Sequence, residues 1–463
     1  MKIAIVGGGF SAISLSLQIV SKANTPLSLY ICEKDENIGL GTAYATQYSW
    51  HLLNVRAAQM GAASDDPEGF FNWLQNNESS WQMVDPAFKE LSINKEAFLP
   101  RKLYGCYLSA LLKEIKSIAV TKNIHFEIVN KAVIELKNAP ENEISIVFSD
   151  HQLLNIDKVV LATGVYPIRN LPFVSPSSGY IANLWELDKQ DLIDQISFST
   201  KDSVIFIIGT GLTTVDLLTS LDKLDYPGKI IALSRHGQLP ATHQKQSLPP
   251  LGDLNQILFE KTLLNKIRAF RKQLKGIESG GGNWVQLFET LRPATYKLWQ
   301  QLAIQDKKRF LKYCIPLWNT HRHRMPYDSK RLIENLLQKG KLRIMAGKII
   351  SIQEKNLLEI HYKQGNAVET LQADLVFNCT GPDYTLTHSA DPLIQDLLNK
   401  GWIIPDPLGM GIKCDSNFCV EGPLSRQIYA MGALLFGECF ETTAVPDIRN
   451  HAYKIASQLL VDA

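Results

Sequence analysis

Lys2-Ile3-Ala4-Ile5-Val6-Gly7-Gly8-Gly9-Phe10-Ser11-Ala12-Ile13 decides how the chain folds. Ile3 to Val6 is a continuous apolar run with β-branched members, the composition of a strand buried on both faces of a parallel sheet. The six residues from Gly7 to Ala12 follow, and then a helical pattern at Ile13, Leu15, Leu17, Ile19 and Val20. This is G-x-G-x-x-A between strand and helix. Gly7 permits the tight turn, Gly9 lets backbone approach a pyrophosphate, and Ala12 allows the helix to pack closely on the strand. With Phe10 and Ser11, these residues open a helix whose first N–H groups face the anion. A second strand, Leu27 to Cys32, ends at Glu33. A carboxylate there accepts hydrogen bonds from ribose hydroxyls and repels a 2′-phosphate. The segment predicts a dinucleotide site.

The arrangement recurs. Val204 to Ile208 is another buried-strand run, leading into Gly209-Thr210-Gly211-Leu212-Thr213-Thr214 and a helix with Val215, Leu217, Leu218, Leu221 and Leu224. Thr214 replaces the third glycine, so this copy is weaker by itself. The next strand, Lys229 to Leu233, ends in Ser234-Arg235-His236, and Gly209 lies 26 residues before Arg235 as Gly7 does before Glu33. Equivalent positions carry opposite charge. An acid suits FAD or NAD; an arginine forms charge-assisted bonds to a 2′-phosphate and favours NADPH over NADH. The other reading of Arg235 is a solvated surface arginine.

Two further segments run from an aspartate through an apolar strand to Thr-Gly: Asp157-Lys158-Val159-Val160-Leu161-Ala162-Thr163-Gly164, and Asp374-Leu375-Val376-Phe377-Asn378-Cys379-Thr380-Gly381. They read as places where chain passes between two dinucleotide domains. The expected fold class is α/β, with two Rossmann-like domains, the second inserted in the first. The expected limits are 1–200 and 346–463 for the outer domain and 201–345 for the inserted one. A helical cap is expected at about 254–337, where Leu263, Ile267 and Phe270, then Phe288, Leu291, Leu298 and Leu302, recur at helical spacing. Such a cap at a domain interface is where a substrate cavity is expected.

The composition excludes other classes. The chain has 463 residues, with 48 Lys+Arg against 46 Asp+Glu, so a formal +2 gives no field for nucleic acid or an acidic membrane. Seven scattered cysteines do not form a disulfide framework and suit a reducing compartment. Cys414 and Cys419 read as ordinary thiols, and no Cys/His group has metal spacing. The apolar run at the start breaks after Val6, too soon for a secretory signal. Nothing approaches the about 20 apolar residues of a membrane span. A soluble, cytoplasmic protein is expected. His321-Arg322-His323-Arg324 is the sharpest charge feature. It reads either as a receiver for a substrate carboxylate or NADPH phosphates, through His321, Arg322 and Arg324, or as a solvated helix end. Trp284, Trp299 and Trp318 read as core.

These motifs, with an ordered series of blocks, resemble the bacterial FAD/NAD(P)-binding proteins related to flavin-containing and N-hydroxylating monooxygenases. The blocks are Gly41-Thr42-Ala43-Tyr44, His51-Leu52-Leu53-Asn54-Val55 with Met60, Asp65-Asp66-Pro67, Phe71-Asn72-Trp73-Leu74 and Phe98-Leu99-Pro100-Arg101-Lys102-Leu103-Tyr104-Gly105. Trp318 with His321 to Met325, and Glu441-Thr442-Thr443-Ala444-Val445-Pro446-Asp447-Ile448-Arg449, complete the series. The resemblance implies that Asn54 lies by the reactive flavin edge and that Arg101 is a flavin-side or phosphate contact. It implies that Thr442, Thr443 and Val445 start a last helix facing the flavin. Met60, Val133, Thr163, Gly164, Gly381 and Gly432 join the expected cofactor lining. Ala433 departs from the pattern, since many relatives carry an aspartate there.

The implied activity is that of an FAD-dependent, NADPH-using oxidoreductase. A monooxygenase is expected, using molecular oxygen through a flavin C4a-hydroperoxide on an amine, an amino acid or another soft nucleophile. The alternatives are an NADPH reductase with an organic acceptor, and a flavin-bound regulatory protein with little turnover.

Overall fold

The computed structural model describes residues 1–164, 168, 171–174 and 177–461. The apolar run at the start forms β1 (Lys2–Val6), in which Ile3, Ala4 and Ile5 have no exposed surface. The strands that follow are β2 (Ser28–Cys32), β3 (His125–Val129), β4 (Val133–Asn138), β5 (Ile144–Phe148), β6 (Leu153–Ile156) and β7 (Lys158–Leu161). Next come β8 (Tyr180–Ile181), β9 (Val204–Ile208), β10 (Lys229–Ser234) and β11 (Leu342–Ala346). The last are β12 (Lys348–Glu354), β13 (Leu358–Gln364), β14 (Ala367–Ala373), β15 (Leu375–Asn378) and β16 (Ile428–Ala430).

They build two parallel five-stranded sheets, ordered β16-β7-β1-β2-β3 and β11-β10-β9-β15-β8, each with a three-stranded antiparallel sheet, β4-β5-β6 and β12-β13-β14. In both parallel sheets the strand before the glycine turn is central. Its apolar run is covered on both faces, which is why it carries no alternation. The chain leaves the first sheet after β7 and returns to it at β16 after β15, so both Thr-Gly segments are crossovers between the sheets. The aspartate before each has the same task. Asp157 accepts the Lys2 N–H at 2.6 Å and Asp374 the Val204 N–H at 2.7 Å, each pinning the first residue of a glycine-motif strand.

The limits expected at 200 and 345 fall inside the second sheet. β8 precedes Val204, and β15 pairs with β9 in the register Leu375↔Ile205. The β12-β13-β14 sheet also belongs with it, since Ile349, Ile352, Leu358, Ile360 and Tyr362 share a core with Phe206, Ile208, Leu233 and Val376.

The helical stretch forms as read. Its helices include Leu263–Ser279, Trp284–Leu291, Ile304–Tyr313, Ile315–Arg322 and Tyr327–Gln338. Gly281 takes a φ of 79° in the turn between the first two, and Asn283 caps the second in a reciprocal capping box. Leu263, Trp299 and Leu302 join Phe440 in a small core, so the cap is docked on the returning outer domain. Of the three tryptophans Trp299 is buried and stacks on Phe440 at 4.6 Å, whereas Trp318, half-buried, packs against Phe440 at 5.7 Å and Trp284, also half-buried, packs on His321.

Candidate functional site

The two glycine turns have one geometry. Gly7 has φ 105° and Gly209 φ 110°; a Cβ would lie 2.3 Å from the Ala162 carbonyl oxygen in the first and 2.5 Å from that of Cys379 in the second. Each turn is thus pressed against the end of its crossover strand. Gly9 and Gly211 face open space by contrast: a Cβ on Gly9 meets only Gly41 at 3.8 Å, and one on Gly211 meets nothing within 4 Å. The helices Phe10–Lys22 and Leu212–Lys223 begin directly after them with no side-chain cap. Their first N–H groups are left for an anion in the space the glycines keep free.

Glu33 lies against the first turn. Its carboxylate accepts the Gly8 N–H at 2.6 Å and the Asp35 N–H at 3.1 Å, which holds it at the end of β2. Gly432, at φ 67°, approaches the start of the same helix, where a Cβ would lie 3.2 Å from the Ser11 hydroxyl. The turn glycines Gly164 and Gly381, with φ 85° and 88°, follow Thr163 and Thr380 at the two crossovers and have nothing within 4 Å of a Cβ. Ala12 is fully buried against the sheet, and Val133 is buried at the start of β4. Met60 is buried, and its carbonyl accepts the Tyr104 hydroxyl at 2.9 Å. Thr442 is 1% exposed and its hydroxyl has no partner, whereas Thr443 is exposed and Val445 begins the helix Val445–Val461. A buried hydroxyl without a protein partner is open to one from outside the chain, a bound group or a water. Open cradles and this orphan donor fit two dinucleotides.

In the second turn Thr210 donates to the Ser234 hydroxyl at 2.9 Å, and Leu212 and Thr213 open the helix. Arg235 is exposed and borders a cavity of about 310 Å³.

Arg101 takes a place the sequence did not indicate. It donates to Asp216 at 2.9 Å and to the Leu52 carbonyl at 3.2 Å, tying the outer domain to the helix Leu212–Lys223. Burial pushes the Asp216 carboxyl up to about 6, against the pull of Arg101. Nearby, the Ser220 hydroxyl bonds to His51 Nε2 at 2.8 Å and accepts the Trp50 indole N–H at 3.1 Å. Asn54 is half-buried, and its carbonyl accepts from His243 Nε2 at 3.1 Å across the domain seam.

The His321-to-Arg324 cluster is not a solvated helix end. Arg322 pairs with Glu441 at 2.9 Å, both side chains nearly buried, and Arg324, 6% exposed, pairs with Glu289. The His321 ring stacks on Phe288, and its Nδ1 faces the Leu317 carbonyl at 2.8 Å. Two glutamates therefore neutralise the two arginines: Glu441 ties the cap to the outer domain, and Glu289 braces the cap from within. Asp216, His243 and Glu289 went unread, and Glu441 was read only as the first residue of the last block. Of the three unread, Asp216 alone left a trace, as a charge on a helix whose neighbouring positions are apolar. Among the described residues no His/Cys/Asp/Glu group could hold a metal, and no helix is long and apolar enough to cross a membrane.

Residues 4–166 match the family described as FAD-NAD(P)-binding, so the N-terminal part of the chain is a domain of that kind. No curated protein matches the sequence. Among solved structures the chain is similar to the ornithine N-hydroxylase of Kutzneria sp. 744 with reduced FAD, NADP+ and L-ornithine, at TM-score 0.65 and 13% identity, covering 100% of this chain and 99% of that one. It is similar to the L-lysine 6-monooxygenase of Pseudomonas syringae at TM-score 0.63 and 13% identity, covering 99% of each. The bacillithiol disulfide reductase of Bacillus cereus is similar at TM-score 0.53 and 13% identity, with 100% of both chains covered. At these identities the likeness is one of fold, a two-dinucleotide architecture over the whole chain.

Proposed function

We propose that this chain is an FAD-dependent, NADPH-using monooxygenase that hydroxylates a small amine or amino acid with molecular oxygen. The observation that carries the cofactor assignment is the pair Glu33 and Arg235, an acid and a base at equivalent ends of two matching strand–turn–helix units. Glu33 is placed to accept from the ribose of FAD, while Arg235 is free to face a 2′-phosphate. FAD and NADPH, when bound, supply hydride transfer and oxygen activation. The chain's own residues hold, orient and exclude water. The glycine-capped helices receive the pyrophosphates, Thr442 offers its unpaired hydroxyl, and the helix from Val445 directs its N-terminus at developing negative charge. Asn54 is the side chain assigned to the reacting edge. The amine as substrate is supported by the relatives of the same fold that are named for ornithine and lysine.

An anaerobic NADPH titration of the purified chain, followed by air and a panel of amines, tests this reading. Bleaching by NADPH and an amine product bearing one oxygen atom are expected. NADPH oxidation that never places oxygen in a product overturns the monooxygenase in favour of a reductase, and no bleaching at all overturns both.

A further inference from the structure

The cavity beside Arg235 is walled by cations from three stretches of chain. Arg235 follows β10, Lys348 opens β12, and Lys363 is the penultimate residue of β13. Lys348 and Lys363 are direct partners in the antiparallel ladder, which puts their side chains on one face. Like charges placed directly opposite repel and destabilise the pair. No ion pair or side-chain hydrogen bond ties any of the three to another described residue. The repulsion is thus left uncompensated at one end of β10.

Backbone contacts keep the three together. The Gly347 N–H donates to the Ser234 carbonyl at 2.9 Å, and the Gly237 N–H to the Ser234 hydroxyl at 3.0 Å. A Cβ on Gly237 would lie 3.1 Å from the Ala346 nitrogen, and one on Gly347 would lie 3.1 Å from the Lys363 carbonyl oxygen. The turn carrying Arg235 is therefore pressed onto the β11–β12 junction, and that junction onto β13. A phosphate monoester carries about two negative charges at neutral pH and accepts from several donors at once. Arginine meets it as a planar fork and lysines as point charges.

We propose that Lys348 and Lys363 complete, with Arg235, the receptor for the 2′-phosphate of NADPH. Selectivity over NADH then comes from the β12–β13 hairpin as well as from the turn after β10. This assignment rests on the NADPH reading above. It also explains why two lysines are tolerated as cross-strand partners.

Calorimetric titration of the full chain with adenosine 2′,5′-bisphosphate and with adenosine 5′-monophosphate tests it without turnover. The wild type is expected to prefer the bisphosphate. Lys348→Ala and Lys363→Ala are each expected to cut that preference roughly two- to fivefold, the scale of one exposed charge pair, and the double variant to cut it further. If both lysine variants keep the full preference while Arg235→Ala loses it, the hairpin has no part in recognition and the NADPH reading stands. If the wild type binds the two nucleotides equally, the NADPH reading falls and this one with it.

Discussion

Arg101 and Asp216 lie 2.9 Å apart and belong to different dinucleotide domains, the first at the start of the helix Arg101–Thr121 and the second within Leu212–Lys223. Both side chains are largely buried, so the pair is shielded from solvent screening. The same arginine donates to the Leu52 carbonyl, two residues before Asn54. One guanidinium therefore contributes both to domain docking and to the shape of the candidate oxygenation loop.

Arg101→Ala leaves a buried carboxylate without its cation, a change that costs about 3–5 kcal/mol. A large fall in thermal stability is expected. Arg101→Ala/Asp216→Asn is expected to recover part of it, because the uncompensated charge is gone. A double variant as unstable as Arg101→Ala would show that Asp216 is not what the arginine neutralises.

The glycines separate folding from binding. Gly7→Ala forces a Cβ to 2.3 Å from the Ala162 carbonyl at a left-handed φ, so it is expected to unfold or strip the first domain. Gly9 and Gly211 have φ −79° and −83°, which any residue adopts. Gly9→Ala and Gly211→Ala are expected to melt within a few degrees of wild type yet to lose affinity for FAD and NADPH respectively, since the new methyl occupies the approach to the phosphates. Retained flavin content in Gly9→Ala protein would show that the pyrophosphate lies elsewhere.

These glycines were legible in the sequence because their chemistry is local. The strand, the turn and the helix start lie within about a dozen residues, and the charge proposed to select the ribose sits at a constant spacing beyond them. The crossovers at Gly164 and Gly381 were legible for the same reason. The domain limits were not. β8 has two residues, too few to advertise membership of the central sheet, and β12 to β14 form a separate small sheet whose shared core with it shows only in the fold. Pairings over long separations were also hidden. Arg322 reads as an anion receiver or a solvated helix end with no sign of Glu441, and Arg101 reads as a cofactor-side contact with no sign of the Asp216 that pairs with it from the other domain. Sequence carries the type of a charged residue but not the address of its partner.

His51 supplies a pH test. Burial and the nearby Arg101 charge push it down to about 3 in the folded chain. Once unfolded it takes a proton near 6.5. The folded state thus binds fewer protons between those values, and its contribution to stability is complete above about 6.5 and lost as the pH falls toward 3. Within that window His51 adds a slope of up to about 1.4 kcal/mol per pH unit. Asp216, raised to about 6, acts oppositely, its contribution present below about 4 and lost as the pH rises through 6. His51→Gln is expected to flatten the acid limb of denaturant-derived stability measured from pH 7 to 4. An unchanged slope would mean that His51 is protonated in the fold.

Asn54 and His243 carry the last prediction. Burial, reinforced by Arg324 and Arg56, pushes His243 down to about 3, so the ring is neutral in use, and its Nε2–H is the hydrogen given to the Asn54 carbonyl. The ring also packs on Phe98 at 4.6 Å, which fixes its plane. Asn54 is thus held from the central domain while its own loop belongs to the outer one. With Asn54 at the reacting edge, Asn54→Ala removes a preorganised group and is expected to lower the rate of product formation by about 10²-fold, with NADPH oxidation continuing as peroxide release. His243→Phe keeps the ring packing and removes only the donor. It is expected to shift the ratio of peroxide to product the same way by a smaller factor, with FAD content unchanged. His243→Gln, which restores an N–H donor, is expected to return part of the coupling. Should Asn54→Ala couple as well as wild type, the oxygenation site lies elsewhere. If Asn54→Ala uncouples and His243→Phe does not, the hydrogen bond across the seam is architectural only.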